Sequence, residues 1–66
     1  MNTSRELVVR VLGRQYTAIL TPDPAAGGYS IEVPALPGVV TEADTLTEAR
    51  EMVSEAIRLW LRATRG

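Results

Sequence analysis

The sequence predicts an α+β fold, in which a three-stranded antiparallel sheet with room for a short fourth strand is packed by one C-terminal helix (β-β-β-α). Three observations carry this expectation. The first half of the chain holds short runs rich in β-branched residues, and clusters of Pro and Gly separate them. From Leu46 onward apolar residues recur at intervals of three and four, which is helical spacing.

The first strand is expected at about residues 6–12, Glu-Leu-Val-Val-Arg-Val-Leu, with Leu7, Val9 and Val11 on one face. Gly13 interrupts the run and Tyr16 to Thr21 resumes it, so a tight hairpin around Gly13 joins a second strand at 16–21. Residues 21–28, Thr-Pro-Asp-Pro-Ala-Ala-Gly-Gly, combine two prolines without amide donors and two glycines that tolerate positive φ, and so read as a protruding loop. A third strand at 28–33 alternates Tyr29, Ile31 and Val33 against Ser30 and Glu32. Pro34 to Gly38 end it, and Val39-Val40-Thr41 is just long enough for the short fourth strand. Sequential strand order is the simplest arrangement.

The helix is expected at about 46–63. Thr45 is placed as N-cap with Glu48 three residues later, the capping-box spacing that satisfies two backbone donors otherwise left open. Leu46, Ala49, Val53, Ala56, Ile57 and Trp60 form the stripe facing the sheet, with acids in the first half and Arg58 and Arg62 in the last, as the helix dipole favours. Met52, Leu59 and Ala63 lie to one side of that stripe and Leu61 is displaced again. One helix on a small sheet has difficulty burying them all, so Met52, Leu59 and Leu61 are candidates for self-association.

Size and composition bound the function. A chain of 66 residues is expected to form one domain over 1–66, and domains this small often lean on an added source of stability. Cysteine and histidine are both absent, which excludes disulfides and the usual zinc ligands and leaves oligomerisation, as a dimer or tetramer, as the common remedy. No apolar run reaches the length of a membrane span and the N-terminus lacks the layout of a secretory signal, so a cytoplasmic location is expected. Net charge is -1, against the basic excess of a general nucleic-acid binder. The arginines at 58, 62 and 65 crowd one end of the chain, where a helix terminus already favours cations.

Catalytic chemistry finds few candidates. Ser4, Ser30 and Ser54 have no histidine or lysine to activate them. Among the carboxylates, Glu48, Glu51 and Glu55 fall on the helix surface, and only Glu32 projects from the middle of a strand. A residual nuclease using Glu32 with neighbouring acids and a divalent ion is the one enzymatic alternative. Gly27-Gly28 precedes a strand rather than a helix and lacks phosphate-loop form. No enzyme activity, cofactor or metal is expected.

Tyr16 to Thr21, the acidic Pro loop, Gly27-Gly28-Tyr29-Ser30-Ile31-Glu32-Val33-Pro34, then Leu36-Pro37-Gly38, Thr41, Thr45 and Glu48-Ala49 together resemble the HicB family of antitoxins. The resemblance covers most of the chain. It implies a pared-down ribonuclease H-like fold and a bacterial antitoxin that binds and inhibits HicA, a small RNA-cleaving toxin, by covering its active surface. Where ribonuclease H carries metal-binding carboxylates, this sequence has Leu, Val, Ile and Ala, so the activity is not implied. Ala43 and Val39 stand where the family often has Gly and Cys; Ala43 implies a backbone free of positive φ, and Val39 suits burial. Complete members also carry a C-terminal DNA-binding segment, and with the chain ending at Gly66 direct DNA binding is not expected.

For a toxin partner the candidate residues are Pro22, Asp23, Ser30, Glu32, Pro37 and Gly38, where acid meets a basic RNA-binding surface. The alternative is an orphan homo-oligomeric module that keeps the fold and has no toxin.

Overall fold

In a computed structural model of the chain, residues 3–64 are described. They form four antiparallel strands, β1 (Arg5–Val11), β2 (Arg14–Pro22), β3 (Tyr29–Glu32) and β4 (Val40–Ala43), followed by one helix, α1 (Leu46–Thr64). The strands lie in the sheet in chain order, β1-β2-β3-β4. The expected α+β architecture holds, and the short fourth strand is part of it.

Element boundaries differ from expectation in instructive places. Leu12 belongs to the turn rather than to β1: Val11 pairs with Arg14, leaving Leu12 and Gly13 as a two-residue loop with φ of 51° and 79°. Positive φ at both central positions is the type I′ geometry whose twist suits a hairpin. Pro22 belongs to β2 rather than to the loop, pairing with Tyr29. A proline without an N–H is tolerated at a strand end. Gly28 and Val33 fall outside β3, and β4 begins after Val39, because Val33 and Val39 close the connecting loop through Val33 N–H donating to the Val39 carbonyl at 3.2 Å.

The sheet has one covered face. Val9 and Val11 of β1, Ala18 and Leu20 of β2, Ile31 of β3 and Ala43 of β4 meet Ala49, Val53 and Ile57 of α1, all of them buried. Ala18 and Ala49 are fully buried and small, which lets helix and sheet approach closely. Leu36 and Val39 close the end of this core from the β3–β4 loop. Among the described residues nothing polar is buried, so the core depends on apolar burial alone, worth about 1.5–3 kcal/mol for each large side chain. Leu46, expected on the core stripe, is 41% exposed in the first turn of α1, beyond the edge of the apolar face.

The start of α1 follows the capping logic with one shift. Thr45 Oγ1 accepts from the Glu48 N–H at 3.1 Å, while Glu48 Oε1 reaches one residue further back than expected, to the Asp44 N–H at 3.1 Å. Both bonds tie the β4–α1 junction, which is only two residues long, so the helix must turn straight back over the sheet. Trp60, at the far end, donates its Nε1–H to the Pro37 carbonyl at 3.1 Å and fastens the β3–β4 loop to the helix.

Candidate partner-binding face

Among the described residues no helix covers the second face of the sheet, and strand register decides which side chains it gathers. Glu6, Ile19, Glu32 and Val40 are cross-strand neighbours and form one row across all four strands. Thr21, Ser30 and Glu42 form the next, continued by Ser4, whose Oγ lies 3.4 Å from Thr21 Oγ1. Val8 and Thr17 make a third. Alternation places all of them opposite the buried residues of the same strands.

The face is apolar in patches and acidic between them. Val40 is 70% exposed and Val8 45%, and Ile19 is half-buried between them. Glu6 and Glu32 flank Ile19 on either side, roughly 10 Å apart across two strand spacings. Glu42 stands diagonally from Glu32, at the spacing where long side chains on neighbouring strands still influence each other. Arg10, opposite Gln15, is the cation at the rim.

Beside this face, Asp23, Ser30, Glu42 and Asp44 border a shallow depression of about 130 Å³ at the start of β3. Asp23 is partly committed there. Its Oδ1 accepts from the N–H groups of Ala25 and Ala26 at 3.0 and 3.1 Å, which folds the Pro loop back on itself. Among the described residues no three carboxylates converge as a metal site would require, and Glu32 has no such group around it.

The structure brings some of the candidate residues together and separates others. Asp23 and Ser30 lie at one end of β3 and Glu32 continues the face of Ser30, whereas Pro22, paired with Tyr29 and two residues from buried Leu20, is on the covered side of the sheet. Pro37 and Gly38 are at the opposite end, under Trp60. The self-association candidates also divide. Met52 and Leu59 are 38% and 54% exposed on one flank of α1. Leu61, two residues from Leu59 and therefore on the other flank, is half-buried against the core, next to Leu12 and Tyr16. Arg58 and Arg62 are exposed at that end, and the arginine at position 65 is outside the described residues. Sequence reasoning missed Ile19, Val40 and Glu42; their alternation was visible, but only the register puts them beside Glu32.

A family model, described as HicB_like antitoxin of bacterial toxin-antitoxin system, matches residues 16–65. The chain belongs to the HicB-like antitoxin family. Among curated relatives, a UPF0150 protein of Thermoplasma acidophilum is 45% identical over 47 residues, 71% of this chain and 67% of its own length. A UPF0150 protein of Archaeoglobus fulgidus is 46% identical over 44 residues, 67% of this chain and 64% of its own. The chain thus spans about two thirds of the length of these relatives. Both are archaeal, whereas the resemblance implied a bacterial protein. No solved structure gives a significant match. Among the described residues no helix of this HicB-like chain is long and apolar enough to cross a membrane.

Proposed function

We propose that this HicB-like protein is a non-catalytic antitoxin that binds a HicA-like, RNA-cleaving toxin in the cytoplasm and covers its active surface. The observation that supports this reading is the open sheet face, where Glu6, Glu32 and Glu42 surround exposed Val8, Val40 and half-buried Ile19 in a member of an antitoxin family. An RNA-cleaving partner presents a basic surface, and an acidic face with apolar centres complements it, steering association and then desolvating at its middle. Asp23 and Ser30 extend the contact at one end of β3. Inhibition of this kind is stoichiometric.

Co-expression with a small basic protein encoded beside this chain, followed by co-purification and an RNA-cleavage assay, tests the proposal. A complex in which cleavage is suppressed is the expected result. Free toxin activity in the presence of excess folded antitoxin would end it.

A second reading, a homo-oligomeric interaction module without a toxin, is favoured by Met52 and Leu59, two turns apart and exposed on one flank of α1. Purification of the chain alone as a dimer or tetramer, with no partner recovered, supports that reading.

A further inference from the structure

The sheet has two edges, β1 and β4, and they differ in what they offer. In a two-residue hairpin the closing pair exchanges both backbone hydrogen bonds, and such pairs alternate along the ladder. The Val11–Arg14 closing pair therefore turns the amides of Leu7, Val9 and Val11 toward β2 and those of Glu6, Val8 and Arg10 outward. Arg50 agrees with this assignment, since its Nη1 donates to the outward Val8 carbonyl at 3.2 Å. β1 is seven residues long and its outward positions carry Glu6, a 45% exposed Val8, and Arg10.

This pattern is complementary to itself. An antiparallel copy related by a two-fold axis through Val8 sets Val8 against its own copy and Glu6 of each chain against Arg10 of the other. Both charge pairs fall on the open face, directly opposite across the new ladder, where opposite charges attract and like charges repel. A strand guarded by one sign of charge would repel its own copy; opposite signs placed symmetrically about Val8 do the reverse. β4 lacks this property, because it is four residues long and carries no cation to set against the outward Glu42 of a second copy. Arg50 does not close the β1 edge, as a carbonyl oxygen has a second lone pair for the incoming amide. Arg10 Nη1 reaches the Gly13 carbonyl at 3.4 Å, an exposed contact at the long limit that exchanges readily for a carboxylate.

We propose that β1 pairs antiparallel with β1 of a second copy of this chain, joining two four-stranded sheets into one continuous sheet with Glu6–Arg10 pairs on both sides of the axis. The proposal stands on β1 and not on the toxin reading. It gives the self-association reading an interface on the opposite side of α1 from Met52 and Leu59.

Sedimentation velocity of the full chain over a range of concentrations tests it, with variants Val8→Pro, Glu6→Arg, Arg10→Glu, the double swap Glu6→Arg/Arg10→Glu, and Met52→Glu/Leu59→Glu. The wild type is expected to be dimeric. Each single swap should weaken the dimer by about tenfold or more, and the double swap should restore it. Val8→Pro, which removes only an outward N–H at an edge position that tolerates proline, should give a folded monomer by circular dichroism. A wild-type monomer at every concentration overturns both this proposal and the self-association reading. An oligomer indifferent to the β1 variants but lost on Met52→Glu/Leu59→Glu overturns the edge pairing alone.

Discussion

Gly28 lies directly against the carbonyl of Ala43: a Cβ built on Gly28 would sit 2.5 Å from that oxygen and 3.2 Å from the Asp44 Cα. The loop that leaves β2 and the strand that leads into α1 thus touch backbone to backbone. Gly28 also has φ of +72°, so both space and conformation demand glycine. Gly28→Ala is expected to cost about 2–4 kcal/mol, the left-handed penalty of roughly 1–2 plus displacement of β4. Gly38→Ala has a positive φ but nothing within 4 Å of its Cβ, and should cost only the conformational penalty of about 1 kcal/mol. Urea titrations of the two variants side by side check the difference.

The hairpin turn makes the opposite prediction. Leu12 holds φ of 51° and is 69% exposed, so it carries the strain of a left-handed residue with little burial to offset it. Leu12→Asn, which gives the Asn-Gly pair favoured in type I′ turns, should raise stability by about 1 kcal/mol. A thermal midpoint higher by roughly 4–8 °C is the expected reading for a domain of this size.

Removal of the N-cap hydroxyl isolates the capping box. Thr45→Ala deletes the acceptor for the Glu48 N–H and should cost about 1 kcal/mol, whereas Thr45→Ser should keep most of it. Equal losses in both variants, measured by denaturant unfolding, would move the role of Thr45 from its hydroxyl to its methyl group.

On the open face, Glu32→Lys and Glu42→Lys should leave the fold intact, since both side chains are exposed, and should slow association with a basic toxin. Binding kinetics at two salt concentrations check this: the wild type should lose on-rate as salt rises and the double variant should be nearly insensitive. Unchanged kinetics in the double variant would place the toxin contact elsewhere.

Much of this molecule was legible from residue order, for reasons that are local. Tyr29, Ile31 and Val33 alternate against Ser30 and Glu32, and Thr45 with Glu48 marks a helix start, so neither needs tertiary information. Leu12 was misplaced because an apolar residue after a strand looks like its continuation, and only the pairing of Val11 with Arg14 puts it in the turn. Pro22 was misplaced for the converse reason, a breaker tolerated at a strand end. The candidate site was half legible. Ser30 and Glu32 were found by alternation, but their neighbours Ile19, Val40 and Glu42 come from other strands and depend on register. Pro37 was singled out with them, yet its visible role is to hold Trp60.

The meander has a kinetic consequence. Each strand pairs with the one before it, so every sheet contact closes only a short stretch of chain, and such layouts fold quickly because little loop entropy is lost before contacts form. The exception is the seam where α1 returns to β1, typified by Arg50 and Val8, 42 positions apart. Closing that seam is the step that must wait for the whole chain to be present. We expect changes there to speed unfolding more than they slow folding, so the lifetime of the native state is set by the seam, as stopped-flow fluorescence of Trp60 can read.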